Sequence, residues 1–485
     1  MSLNTALLNA VSGLTLNARR TEVIGANVAN ATTEGYGRRE VERSALSLAG
    51  RGGGVRIDGV SRNVDAGLIG ARRLAEASEA AASRAVDFQR AIETAIGAPG
   101  EAGSLGARIA AFESALVAAG SAPGDQARLA GVLDAAKGLA RGLSAISTTI
   151  QDRRMQAESD IAAAVGRLND GLARIADLNA GIREARALGR DGAALMDQRQ
   201  QLIDGISGLV PVRAVPREQG QIALYTPTGA ALVDITPARV AFTSAGTIVP
   251  AMTPAGGALS GLSINGGAVS TAGRFSPVAG GELAAMFAER DELAVSAQTR
   301  LDAVARDLIE RFAPPGPDPT LAAGAAGLFT DAGAAFDPAD ETGLAARIAL
   351  NPAADPAAGG ALWRLRDGLG ASAPGAAGDG TLLLAMRDAL AAPRLPASGG
   401  FTTRALSAPD LAGAFGAGVA GARHAAETSA STETARADAL RGAEFDTGVD
   451  TDREMRKLLE VESAYAANAR VIETVRQMFD RLERL

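Results

Sequence analysis

The sequence predicts a mainly α chain with β-rich insertions: terminal helices forming a coiled-coil pair, a bundle of long helices, and an outer β/loop-rich domain. Three observations lead there. Leu458, Val461, Tyr465, Asn468, Ile472, Val475, Phe479 and Leu482 recur at alternating steps of three and four, the spacing of a coiled-coil seam. Leu129, Val132, Ala136, Leu139, Leu143, Ile146 and Ile150 do the same, and Ile161 to Ile182 continue after a slip of phase. A helix of roughly 60 residues there would span about 90 Å. Between this seam and the next, residues 210–280 are rich in Thr, Val, Pro and Gly and read as short strands.

At the amino end, Leu3, Leu7, Ala10, Leu14, Asn17, Thr21, Ile24 and Val28 form an amphipathic seam that contains two polar positions, and Gly35 closes the helical region. Residues 39–65 read as two strands, with Gly50, Gly52, Gly53 and Gly54 as a flexible turn. Helix resumes at about Ala66 and runs to about Ala95. Strands are expected at Gln221–Tyr225, Ala231–Val233 and Val240–Thr243, with Asn265-Gly266 as a hairpin turn after Leu262–Ile264. A second long helix carries Leu283, Met286, Arg290, Leu293, Ala297, Leu301, Val304 and Leu308, and ends at Pro314-Pro315. Residues 314–400 are rich in Ala, Gly and Pro and read as a solvent-exposed, loop-rich insertion. Helix returns from about Pro409 to Leu440. The last helix opens on Thr451 and Glu454, the spacing of a capping box, with Asp450 and Asp452 beside it, and is expected to run to Leu485. The expected organisation is therefore residues 1–50 with 445–485 as a terminal helical unit; 51–209 with 280–313 and 401–444 as a long-helix bundle; and 210–279 with 314–400 as outer regions.

Composition narrows the function. Apolar residues make up 47% of the 485 residues but aromatics only 3%. Large side chains supply most of the burial energy, so an alanine-rich core suits long helices packed side by side, or surfaces completed by neighbouring subunits, better than a deep pocket. The net charge of −7 argues against nucleic acid as a partner. The chain has no cysteine and one histidine, His424, which excludes thiolate zinc sites, disulfides and cysteine nucleophiles. No stretch has the apolar length of a membrane span. The first residues lack the charged and apolar regions of a Sec signal peptide.

Local patterns that resemble chemical sites have simpler readings. Gly50–Gly54 is not followed by the Lys-Ser/Thr of a phosphate loop. Asp446, Asp450, Asp452 and Glu454 lack the spacing of a calcium loop and read as a helix cap. His424 has no second ligand to share a metal. Asp197 and Asp204 read as acids on a solvated helix. No cofactor is expected. Of three tyrosines, Tyr36 and Tyr465 are set for an interface or a core. Asn27, Asn30 and Asn468 are candidates for setting register across a seam, the alternatives being capping for Asn30 and exposure for Asn27.

The string VSGLTLNARRTEVIGANVANATTEGYGRRE resembles the amino-terminal signature of the flagellar rod, hook and hook-associated axial proteins. Ser12-Gly13-Leu14, Ala26-Asn27, Asn30, Thr33, Gly35-Tyr36 and the basic Arg38 and Arg39 carry it. GVDTDREMRKLLEVESAYAANARVIETVRQMFDRL resembles the family's carboxy-terminal helix, and the stretches around Leu195–Val212 and Ala346–Gly368 are similar to its hook-associated members. The resemblance implies a structural, non-enzymatic protein of the extracellular flagellum, exported from the cytoplasm without a cleaved signal. It implies a ring of copies at the hook–filament junction, in contact with hook protein and a second hook-associated protein, and an export chaperone at the carboxy-terminal helix. The assembly interface is expected at Leu7, Leu14, Asn27, Asn30, Gly35, Tyr36, Leu458, Val461, Tyr465, Asn468, Ile472, Phe479 and Leu482. The alternatives are the hook or another axial protein, and a flagellum-associated hydrolase with its site within 314–400.

Overall fold

A computed structural model describes residues 3–48, 51–401 and 403–484. Helix α1 spans Leu3–Ala29 and is followed by a hairpin, β1 (Arg38–Leu48) with β2 (Arg51–Asn63). The strands pair antiparallel from Arg38 opposite Asn63 through Val41 opposite Val60, with register shifts at Glu42/Arg43 and Ala45/Ser47. Gly52, Gly53 and Gly54 therefore belong to β2 rather than to the turn expected there, and Gly50 lies outside the described residues. Helix α2 (Ala66–Ile96) starts on an Asp65 cap. Helix α3 (Leu105–Ser121) follows a Ser104 cap and buries Leu105, Ile109, Phe112, Leu116 and Ala119, an element the sequence reading passed over.

Helix α4 (Gln126–Ala187) is 62 residues long, about 93 Å at 1.5 Å per residue, and is capped by Asp125. It ends at Leu188, so the segment after it forms a separate helix, α5 (Ala193–Ser207). The phase slip in α4 has a structural counterpart. Its residues to Ile150 lie in one hydrophobic core and those from Ile161 in another. Between the cores the helix carries Arg153, Arg154, Glu158 and Asp160. Arg154 donates to the carbonyls of Arg290 and Met252 at 3.0 and 2.7 Å, and Glu158 pairs with Arg290 at 2.5 Å. The expected second long helix is interrupted at this level. Helix α6 (Glu282–Ala288) passes through one wide turn, Glu289–Leu293, into α7 (Ala294–Phe312). The extra residue in the wide turn lets Glu289 and Arg290 both face inward.

The second core lies between the far half of α4, α5, α6 and two small antiparallel sheets: β3 (Arg213–Pro216), β4 (Ile222–Tyr225) and β5 (Ala231–Val233), then β6 (Val240–Ala241), β7 (Leu262–Ile264) and β8 (Gly267–Val269). Asn265 and Gly266 turn β7 into β8 with φ of 52° and 82°, both positive as a two-residue hairpin turn requires.

The stretch 314–400 is not the exposed outer region expected of it. It forms β9 (Phe329–Asp331) paired with β10 (Ile348–Leu350), and the helices α8 (Leu344–Arg347), α9 (Arg364–Asp367) and α10 (Thr381–Ala391). Its Phe329, Leu344, Leu365, Leu383 and Leu390 lie in the first core with α3, α4 and α7. Phe112, Phe312 and Phe329 form a ring cluster there, with centroids 5.5 to 6.0 Å apart. Helix α11 (Ala408–Thr447) returns along α2 and is zipped to it by Arg423–Glu93 and by Arg441 with Glu76 and Glu79. Helix α12 (Thr451–Leu482) ends the described chain, and Leu485 lies outside it.

Candidate assembly interface at the paired termini

Helices α1 and α12 pack against each other. Gly13 lies against Asn468, and Asn27 binds Glu454, so partners descend α12 as α1 ascends and the pair is antiparallel. At Gly13 an added Cβ would stand 2.7 Å from the Asn468 amide. The Ser-Gly pair has two separate uses here. Gly13 admits Asn468, and the neighbouring Ser12 hydroxyl accepts the Val55 backbone N–H of the hairpin at 3.1 Å.

Asn27 locks the arrangement. It is fully buried, and its amide group uses all of its hydrogen-bonding capacity. Its NH2 donates to the Arg39 carbonyl at 2.9 Å and to the Glu454 carboxylate at 3.0 Å. Its oxygen accepts the Tyr36 hydroxyl and the Arg39 backbone N–H, each at 2.9 Å. One side chain thus joins α1, the hairpin and α12. Burial pushes the Tyr36 hydroxyl's pKa up, which keeps it a neutral donor, and the Arg39 guanidinium lies 5.0 Å from its ring centroid. Gly35 has a φ of 75° and lies against Gln201, so a side chain there would be strained and crowded.

Glu454 corrects the expected capping box. The N-cap of α12 is Asp450, which accepts the Arg453 N–H at 3.0 Å. Glu454 is 1% exposed and points to Asn27, with Lys457 at 2.7 Å on its other oxygen. The clue was available in the spacing, because Glu454 continues the Leu458–Val461 seam one step towards the amino end. Asn30 caps no helix start: it donates back to the Ala26 carbonyl at 2.9 Å in the last turn of α1.

The other expected residues divide by position. Val461 is buried, and Leu7, Leu14, Leu458, Asn468, Ile472 and Phe479 are half-buried. Tyr465 and Leu482 are 49% and 58% exposed, since Ala464 takes the inward place beside Tyr465. Leu16 and Val23 of α1, which the sequence reading did not select, are buried, as is Val475 of α12, a seam position left out of the expected interface. Around α12, at 100° per residue, Val471, Met478 and Leu482 line one flank, Met455 and Leu459 the back, and Tyr465 lies at the edge of the seam, about 40° round from Val461. All six are exposed, as are Leu8 and Val11 of α1.

Asp197 and Asp204 are not acids of a solvated surface. Asp197 is buried and pairs with Arg39 and Arg62 of the hairpin at 2.8 and 2.7 Å. Asp204, two turns on, binds Arg72 and Arg73 of α2 at 2.9 and 2.6 Å. His424 lies exposed on α11. Among the described residues no group of three His, Cys, Asp or Glu side chains is placed to hold a metal ion, and no helix is long and apolar enough to cross a membrane.

Known proteins match both the ends and the middle. The family models "Flagella basal body rod protein" and "Flagellar basal body rod FlgEFG protein C-terminal" match residues 7–36 and 446–485. The paired termini are thus similar to those of the flagellar axial proteins. The model "Flagellar hook-associated protein FlgK helical domain" matches residues 90–313, so the middle of the chain is similar to the helical domain of the FlgK hook-associated proteins. Flagellar hook-associated protein 1 of Salmonella typhimurium (strain LT2) is 26% identical over 243 residues, 48% of this chain and 44% of that protein. That of Escherichia coli (strain K12) is 24% identical over 244 residues, 49% of this chain and 44% of that protein. The matched region thus spans less than half the length of these relatives. A solved structure, the flagellar hook junction protein FlgK from Burkholderia pseudomallei, superposes on 54% of this chain and 46% of its own, with a TM-score of 0.43 and 18% identity, too loosely to carry an argument.

Proposed function

We propose that this chain is a structural, non-catalytic subunit that joins hook to filament in the bacterial flagellum, assembling as a ring of copies through α1 and α12. Helix α1, the β1–β2 hairpin and α12 act as the axial unit, which extends the expected 1–50 with 445–485 by the strand that pairs with β1, and the bundle that they carry faces away from it. The subunit leaves the cytoplasm without a cleaved signal and meets hook protein on one side and a second hook-associated protein on the other. Before assembly, α12 is the segment for an export chaperone to cover.

The observation that carries this reading is the unequal closure of the terminal pair. Its inner seam is sealed by Asn27, Glu454, Val461 and Val475, yet Leu459, Tyr465, Met478 and Leu482 on α12 and Leu8 and Val11 on α1 stay in solvent. Single exposed apolar residues are ordinary, but a run along both helices of one unit marks an interaction surface. Copies of the same unit, stacked side by side, would cover it.

The test is a chain lacking residues 458–485, supplied to cells whose own copy is deleted. Electron microscopy is expected to show intact hooks without filaments, while the central fragment stays soluble. Filaments attached normally would end the proposal, and missing hooks would favour the hook-protein alternative.

A further inference from the structure

The two hydrophobic cores follow one another along α4, and an ionic layer lies between them. Three parts of the bundle bring charge to that layer: α2 through Arg84, α4 through Arg153, Arg154, Glu158 and Asp160, and the wide turn between α6 and α7 through Glu289 and Arg290. Arg84 pairs with Asp160 at 2.7 Å and with Glu289 at 2.6 Å. Arg153 holds the other Glu289 oxygen at 2.8 Å. Glu158 accepts Arg290 at 2.5 Å and the Ala245 backbone N–H at 2.7 Å. Arg290 donates onward to Asp291 at 2.7 Å and to the Ser260 carbonyl at 3.0 Å. Arg154, Glu158, Glu289 and Arg290 are each at most 1% exposed. Between Gln151 and Asp160 of α4 the buried apolar side chain is Ala157, and it belongs to neither core.

We infer that this layer is a breakpoint built into the bundle: the far half of α4, α5, α6 and the two small sheets open and close as one cooperative unit while the first core stays folded. Cooperativity in a bundle runs through apolar side chains, because parting them exposes apolar surface to water. The ionic layer transmits little of it. Desolvation offsets the attraction within a buried ion pair, and parting the halves returns both partners to water. The regular ladder from α6 into α7 is also interrupted at this level by the wide turn. The order of opening follows from the rings. Phe88, Phe112, Phe312, Phe329 and Phe415 lie in the first core, whereas the second has Phe287, with Phe242 half-buried against it. Large side chains supply most of the burial energy, so the second core opens first.

The test is amide hydrogen exchange on the full chain, resolved to short segments. Exchange of the helical amides of α4 is expected to step up between Ile150 and Ile161, as separate cooperative units require. Leu172, fully buried in the second core, is then cut to Ala. Leu172→Ala should speed exchange from Ile161 to Ile182 by about thirtyfold or more and leave Leu129 to Ile150 unchanged, even where it unfolds the second unit outright. The triple variant Arg154→Met, Glu158→Leu and Arg290→Met replaces the layer by apolar side chains and should join the cores, so that Leu172→Ala on that background speeds exchange on both sides. Should circular dichroism show that the triple variant does not fold, the place of the step decides. Equal acceleration of both halves of α4 by Leu172→Ala alone, a step outside Gln151–Asp160, or a folded triple variant that keeps the step overturns the inference.

Discussion

Helices α4 and α12 carry similar seams in the sequence, yet they end in different surroundings. Helix α4 buries side chains along almost its whole length, from Leu129 to Ile182, because α3, α5, α7 and the small sheets cover it from several sides. Among its described residues, α12 fully buries only Glu454, Val461 and Val475. An amphipathic helix draws most of its stability from packing. The seam of α4 is therefore satisfied within one chain, while that of α12 is satisfied along one line and left open beside it. Equal periodicity does not mean equal closure: the number of neighbours decides it.

The largest difference should appear when each region loses one central side chain. Phe112→Ala opens a cavity among the rings of Phe312 and Phe329 and should cost about 3–5 kcal/mol in denaturant unfolding of the bundle. Asn27→Ala strands the Tyr36 hydroxyl, the Arg39 N–H and the Glu454 carboxylate. It should cost about 1–3 kcal/mol, read as faster hydrogen exchange in α1 and α12 and not in α4. If exchange in α4 rose equally, the two regions would not be separate cooperative units.

A smaller effect is expected from pH. The Arg453 backbone N–H holds the Asp450 carboxyl below its ordinary value. Its contribution to α12 is present above the ordinary carboxylate range, about pH 4, and is lost as pH falls through the lowered value. Asp450→Asn should flatten the acid loss of exchange protection in the first turn of α12. The smallest effect on stability should come from Leu459→Glu, within about 0.5 kcal/mol in thermal unfolding, because that side chain is 62% exposed.

Much of the architecture could be read locally. The α4 seam, the terminal seams and the Asn265-Gly266 turn depend on neighbours a few residues away, and the structure has each of them. Helix α3 could have been read as well, since Leu105, Ile109, Phe112, Leu116 and Ala119 keep the same steps of three and four. The burial of 314–400 could not. Phe329, Leu344 and Leu365 show no period, and what covers them lies on α3, α4 and α7. In the candidate interface, Asn27 and Tyr36 stood out as polar groups beside a seam. Glu454 was hidden by a plausible capping box. Asp197 resembles any acid on a helix, and its Arg62 partner is 135 residues away. The pairing of charges distant in the chain is a property of the fold, and no local pattern announces it.

The central claim is that the open flank and back of the terminal pair exist to be covered by another copy. Its most direct test is the double variant Leu459→Glu with Leu482→Glu, supplied to cells lacking their own copy and viewed by electron microscopy. The purified variant is expected to match the parent in helicity and unfolding midpoint, while the cells carry hooks without filaments. A correctly folded variant that still joins filament to hook would contradict the account.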